Sequence, residues 1–255
     1  MKRIKVAIGL LVIMLEAACS GESAVEVDTP SEESSAPVVY IEEETPDVPD
    51  VYRGEIFDCL DEDGFVNVYA NKNEESEIIH VYDEITEVEL LETLPFGWFK
   101  IRMRDGREGF VDARNIRTTE IPPHGYNKNL EGYVLVFTHE DQVLRVYKDG
   151  KFILSSIASS GVPELFTPRG IFEIEENRRG EWFFVERFDV GMKYWVGFKG
   201  IWLFHSVPFD RNKNVIPEEA AKLGSPASHG CIRLPVEIAE FIFNNVPDGS
   251  LVLIY

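Results

Sequence analysis

A chain of 255 residues, 44% hydrophobic and 27% charged, has enough apolar material for one large domain or two modest ones. Its formal net charge of −20 argues against nucleic acid and anionic lipid surfaces as partners, because both are bound through clustered Lys and Arg.

The chain opens Met1-Lys2-Arg3-Ile4-Lys5, runs through ten apolar residues at 6–15, and reaches Ala17-Ala18-Cys19-Ser20-Gly21. A basic start, a short apolar core and small residues at the cut predict an export signal over 1–19. The apolar run is about half the roughly twenty residues a bilayer span needs. Cys19 after Ala17-Ala18 resembles a bacterial lipoprotein processing site, which implies lipidation of Cys19. Glu16 departs from that pattern, and a cut near Ala18 is the plainer alternative. Residues 20–50 carry ten carboxylates and no Lys or Arg, half of the net charge. With so little apolar surface to offset ordering entropy, they read as a disordered acidic tether.

Over 51–118 the pattern shifts to short strands. Phe65-Val66-Asn67-Val68-Tyr69 alternates, residues 85–91 have apolar positions at period two, and Trp98-Phe99-Lys100-Ile101-Arg102-Met103 alternates again. Asp105-Gly106 then predicts a tight hairpin turn. Together with Gly97-Trp98-Phe99 and Gly109-Phe110-Val111, these segments resemble a bacterial SH3-like domain, a small barrel. That resemblance implies binding of cell-wall peptides or sugars; a spacer without a ligand is the alternative. Cys59 reads as a lone buried thiol.

Pro122-Pro123 and Gly125 mark a linker over 119–130. The region 131–255 is strand-rich again, with apolar stretches at 133–137, 143–147, 152–154, 171–174, 201–204 and 251–255. Residues 217–223 read as a short helix with Pro at its first turn and Gly224 as its stop. Residues 235–246 read as a second, with Ile238, Phe241 and Ile242 on one face. The fold class is mainly β: a small barrel followed by a β-sandwich-like domain with short capping helices.

The chemistry concentrates in Ser228-His229-Gly230-Cys231-Ile232-Arg233 and Leu203-Phe204-His205-Ser206. A thiol is a useful nucleophile at neutral pH when a base or a positive field draws off its proton. One of three cysteines, flanked by small residues and near two histidines, therefore points to a Cys-His acyl-transfer site. Read alone, Cys231 is a nucleophile or a structural thiol, His205 a base or a satisfied core histidine, and His229 a second base or a shaping residue. Arg233 holds either a substrate carboxylate or a local ion pair. A disulfide between Cys59 and Cys231 would silence the nucleophile. A zinc site from His205, His229 and Cys231 lacks a fourth ligand and CxxC spacing. Papain-like and NlpC-type peptidases place the cysteine before the histidine, whereas here His205 precedes Cys231 and only 24 residues follow it.

The Ser-His-Gly-Cys core, with Thr167-Pro168-Arg169-Gly170-Ile171-Phe172 upstream and Gly249-Ser250-Leu251-Val252 downstream, resembles the YkuD-type L,D-transpeptidase catalytic domain over 131–255. The resemblance implies Cys231 as nucleophile, His205 as general base and Ser206 as the partner that orients its ring. It places Ser228, His229, Gly230 and Arg233 around substrate and oxyanion. It further implies cleavage of the terminal D-alanine of peptidoglycan tetrapeptide stems through a thioester, then cross-linking to an acceptor stem amine. Water as acceptor would make an L,D-carboxypeptidase; loss of catalysis would leave a wall-binding lipoprotein. No metal or organic cofactor is called for, and the expected location is the cell envelope, by way of a Cys19 anchor or the wall. The 22 residues between His205 and Ser228 exceed the family's compact spacing. The 217–223 helix is expected to fill that excess as a rim over the site.

Overall fold

The structure is a computed structural model that describes residues 49–58 and 64–255. The expected leader, Cys19, the tether through residue 48 and Cys59 lie outside the described residues.

Seven strands come first: β1 (Tyr52–Ile56), β2 (Val66–Tyr69), β3 (Ile78–Tyr82), β4 (Thr86–Leu94), β5 (Trp98–Arg102), β6 (Glu108–Asp112) and β7 (Ile116–Arg117). They form one sheet in the order β3-β2-β6-β5-β4-β1-β7, and every pairing is antiparallel. Period-two alternation sets which side is buried: Val88 and Leu90 of β4 point inward while Glu87 faces solvent. At the β5–β6 connection Gly106 has φ of 85°, and its N–H donates to Met103 O at 3.0 Å. Asp105 Oδ1 accepts from the Arg107 N–H at 3.0 Å, the local bond that makes Asp-Gly a turn former.

The second half contains β8 (Tyr133–Thr138), β9 (Val143–Lys148), β10 (Lys151–Ile157), β11 (Gly170–Glu173), β12 (Arg179–Val185), β13 (Val190–Lys199), β14 (Trp202–Ser206), β15 (Ile232–Leu234) and β16 (Leu251–Ile254), with helices α1 (Pro217–Ala220) and α2 (Val236–Asn245). Two sheets result, β10-β9-β8-β16-β11 and β12-β13-β14-β15. Most neighbours are antiparallel, but β8 with β16 and β14 with β15 run parallel. Leu135, Phe137, Phe172 and Val252 of one sheet share a buried cluster with Val196, Phe198, Phe204 and Ile232 of the other and with Ala239 and Ile242 of α2. The architecture of residues 131–255 is therefore mainly β with few helices.

Strands β1, β3, β7, β12, β13 and β15 add to those expected. The 217–223 helix is reduced to one α-helical turn. The N–H groups of Lys222 and Leu223 bond three residues back, to Glu219 O and Ala220 O at 3.2 and 3.3 Å, so the chain tightens out of α geometry before Gly224. No α1 side chain is buried to hold a longer helix. Among the described residues no helix is long and apolar enough to cross a membrane.

The first sheet packs against the second half at named points. Gly97 donates its N–H to Ile171 O at 2.8 Å, and a Cβ there would come within 2.4 Å of the Phe172 ring. Lys199 reaches the buried Asp112 carboxylate at 2.8 Å, and Arg169 donates to Thr118 O at 2.7 Å.

Candidate active site

Strand β14 and the loop entering β15 carry the chemistry. Parallel pairing sets Phe204 beside Ile232, His205 beside Arg233 and Ser206 beside Leu234. Paired residues share a face. His205 and Arg233 therefore project from one side of the sheet, and Cys231, at the bend just before β15, feels the same Arg233 charge as His205. The Cys231 sulfur rests against the start of β14: it lies 3.5 Å from Ile201 O and accepts a hydrogen bond from the Leu203 backbone. Leu203 is two residues before His205 on the same strand.

His205 is 4% exposed. Its Nδ1 sits 2.6 Å from Ser206 O. A carbonyl only accepts, so Nδ1 carries the proton and Nε2 is left as a free base in the neutral ring. Burial drives the imidazole pKa down to about 4, and the Arg233 charge adds to this against the Ser206 bond. Ser206 is further fixed by its hydroxyl, which accepts from the Lys193 N–H at 2.9 Å and donates to Val207 O at 2.9 Å.

Cys231 is half-buried. Burial pushes its thiol pKa up to about 11, more than the Leu203 bond and the Arg233 charge pull it down. At neutral pH the thiol and the imidazole are thus both neutral at rest.

The turn before the cysteine is held from three sides. Ser228 is 2% exposed; its hydroxyl donates to Cys231 O at 2.5 Å and accepts from the Gly230 N–H at 3.0 Å. Thr167 donates to Gly230 O at 2.5 Å and accepts from the Gly161 N–H at 2.9 Å. Gly230 has φ of 111°, and a Cβ there would lie 2.7 Å from the Trp202 indole nitrogen, so only glycine fits. Because Ser228 takes the Gly230 N–H, the backbone donors without an acceptor in this turn, among the described residues, are those of His229 and Cys231.

The remaining predicted residues divide. His229 is exposed, stacked on Phe188 with ring centroids 4.6 Å apart and planes within 9°; desolvation and then Arg233 and Arg187 lower its pKa. Arg233 is 9% exposed and is ion-paired to Glu219 of α1 at 2.6 Å. Burial raises the Glu219 pKa, but hydrogen bonds from Lys222 and Arg233 outweigh it and hold the carboxyl below its usual value. The insertion between His205 and Ser228 thus supplies a carboxylate to the arginine beside the site. Among the described residues no group of His, Cys, Asp and Glu is placed to hold a metal ion.

Residues 131–254 match the family model described as the YkuD L,D-transpeptidase catalytic domain. The chain is 41% identical over 158 residues to YciB of Bacillus subtilis (strain 168), a protein assigned to the L,D-transpeptidases; the match covers 58% of this chain and 81% of YciB. This chain belongs to the L,D-transpeptidase family. Solved structures similar to this transpeptidase-family chain include a fused Zn-dependent amidase/peptidase/peptidoglycan-binding domain-containing protein from Clostridium acetobutylicum, at 29% identity and TM-score 0.38, covering 48% of this chain and 51% of that one. An L,D-transpeptidase from Stackebrandtia nassauensis matches at 21% identity and TM-score 0.41, covering 51% of this chain and 60% of that one. The chain therefore spans well short of the full length of either structure.

Four contributors to this transpeptidase-family site carry no signal in the Cys-His motif. Gly161 and Thr167 brace the turn before Cys231, Glu219 pairs with Arg233, and Phe188 stacks on His229. Thr167 stood in the Thr-Pro-x-Gly stretch and Glu219 in the expected 217–223 helix; Gly161 and Phe188 arrive through long-range folding.

Proposed function

We propose that this L,D-transpeptidase-family protein cross-links peptidoglycan by two acyl transfers through Cys231. One observation carries the reading: the Ser206 carbonyl pins the proton on His205 Nδ1, leaving Nε2 a free base on a strand whose neighbour begins one residue after Cys231. His205 Nε2 takes the thiol proton as the sulfur attacks the carbonyl carbon between the third stem residue and the terminal D-alanine. The resulting oxyanion is met by the backbone N–H groups of Cys231 and His229, donors of a kind worth a few kcal/mol of barrier. Collapse breaks the C–N bond, and His205 returns the proton to the departing D-alanine amine. A thioester on Cys231 remains. An acceptor stem amine attacks that thioester, His205 receives the amine's proton, and as the C–S bond breaks His205 passes that proton to the sulfur, restoring the thiol. General base catalysis of this kind contributes about 10²–10⁴ in rate.

Ser228 and Gly230 hold the turn, His229 and Phe188 form one wall of the approach, and Arg233 with Glu219 sets the local charge. The seven-stranded sheet acts as an SH3-like module that keeps the enzyme on its polymer and raises effective concentration. An export signal over 1–19 and lipidation of Cys19, both expected from the sequence, would put the protein at the cell envelope.

The test incubates the full chain, and a Cys231→Ala copy, with purified disaccharide-tetrapeptide and follows products by mass. Release of D-alanine with dimer formation by the parent alone is expected. Release without dimers would replace the transpeptidase by a carboxypeptidase, and no release from either protein would leave a wall-binding role.

A further inference from the structure

A cavity of about 540 Å³ opens between the first sheet and the second half, and neither Cys231 nor His205 lines it. Its walls include Arg53, Arg117, Arg169, His139, Gln142 and Phe166. Two of the arginines are already paired, Arg53 with Glu87 at 2.6 Å and Arg117 with Glu55 at 2.7 Å. Arg169 is different. Among the described residues it has no carboxylate partner; its Nη1 donates to Thr118 O at 2.7 Å, and its Nε is buried without an acceptor. The Nε2 of His139 beside it is likewise buried without a partner. Burial and the Arg169 charge hold the His139 imidazole well below its usual range, down to about 3, so that ring contributes no positive charge at neutral pH.

A guanidinium taken partly out of water without a counter-charge is costly unless something supplies one. This one sits at a cavity wall, in a chain whose net charge is −20. The two wall glutamates are paired with other arginines, so Arg169 is the one wall arginine without a carboxylate partner. The wall around it is rigid. Gln142 donates to His139 O at 2.9 Å and to Ser160 Oγ at 3.0 Å, and its carbonyl accepts from the Ser160 N–H at 2.8 Å. Phe166 and the neighbouring prolines give an apolar flank suited to a small aliphatic side chain. The same wall touches the catalytic turn from behind, since Ser160 O accepts from the N–H of Ser228 at 3.0 Å.

We infer that this cleft is a second binding site, one that takes the free C-terminal carboxylate of a short peptide on Arg169, with Phe166 against its last side chain. Only the identification of that peptide as a wall stem rests on the function proposed above. Carboxylate and guanidinium form a charge-assisted pair, and the unpaired His139 Nε2 accepts an N–H from the peptide.

The test uses the full chain carrying Cys231→Ala, with ¹⁵N-labelled histidines, titrated with disaccharide-tetrapeptide and with the same compound amidated at its C-terminus. The acid should shift the His139 resonances saturably, the amide should not, and Arg169→Gln should weaken the acid by about tenfold or more. Movement of His205 alone, with His139 unmoved, would overturn the inference. So would equal response to acid and amide, a comparison within one protein that holds even if Arg169→Gln fails to fold. D-Alanine release by the parent chain is a separate reading: its absence would remove the acyl-transfer proposal while leaving a His139 response intact.

Discussion

Alkylation of Cys231 by iodoacetamide reports directly on the resting protonation state. The thiol pKa near 11 against an unperturbed value of about 8.5 means roughly 300-fold less thiolate at pH 7. A more basic thiolate is also a better nucleophile, with a Brønsted slope of about 0.4–0.5, which returns roughly tenfold. The net expectation is alkylation about 25-fold slower than that of a free thiol at pH 7, rising close to tenfold per pH unit up to pH 9 with no plateau. Intact-protein mass against time measures it, with a Cys231→Ala copy to subtract Cys19 and Cys59. Replacing His205 by Gln should leave this rate almost unchanged, because a neutral imidazole with pKa near 4 does not hold the thiol's proton at rest. The same change should abolish turnover. A flat alkylation rate between pH 5 and 8, lost in His205→Gln, would mean a preformed thiolate–imidazolium pair and would refute this reasoning.

Acid should destabilise the fold through His205. Its pKa is near 4 when folded and 6.5 when unfolded, so the unfolded chain binds the extra proton first. The His205 contribution is complete above about pH 6.5, falls by about 3 kcal/mol as pH drops to 4, and levels off below that, while buried His139, with its pKa near 3, adds a further loss; urea unfolding of the parent at pH 7 and 4.5, against His205→Gln with its shallower dependence, checks it. Gly230→Ala forces a Cβ to 2.7 Å from the Trp202 indole at φ of 111°; about 3 kcal/mol of stability and about 100-fold in D-alanine release should be lost. Glu219→Gln leaves the Arg233 charge uncompensated and should cost about 2 kcal/mol, less than a fully buried pair because both side chains keep some exposure. With that charge freed, the Cys231 thiolate is favoured, and alkylation at pH 7 should quicken roughly threefold.

What the sequence disclosed followed the range of each interaction. Alternation in 65–69 and 98–103 and the Asp105-Gly106 turn are encoded within a few residues, and their strands formed at β2, β5 and β6. Strands β12 and β13 were not legible, because exposed Phe183 stands between Trp182 and Phe184 and blurs the apolar–polar alternation on a half-exposed hairpin. Strand β15 is three residues long and is held by distant partners, β14 on one side and Ser159 on the other. The 217–223 helix had the composition of a helix but no buried side to extend it. At the site, the order of His205 before the Ser-His-Gly-Cys run was visible at once. Contacts spanning long separations in sequence were not, such as Thr167 Oγ1 to Gly230 O and Phe188 on His229.

The most direct test of the central claim is the mass of the intact protein, followed by peptide mapping, within seconds of mixing with disaccharide-tetrapeptide and no acceptor. An adduct equal to the donor minus D-alanine, on Cys231 and labile to hydroxylamine as a thioester is, is the predicted result. The absence of any adduct while D-alanine is nonetheless released, or an adduct on another residue, would contradict covalent catalysis through Cys231.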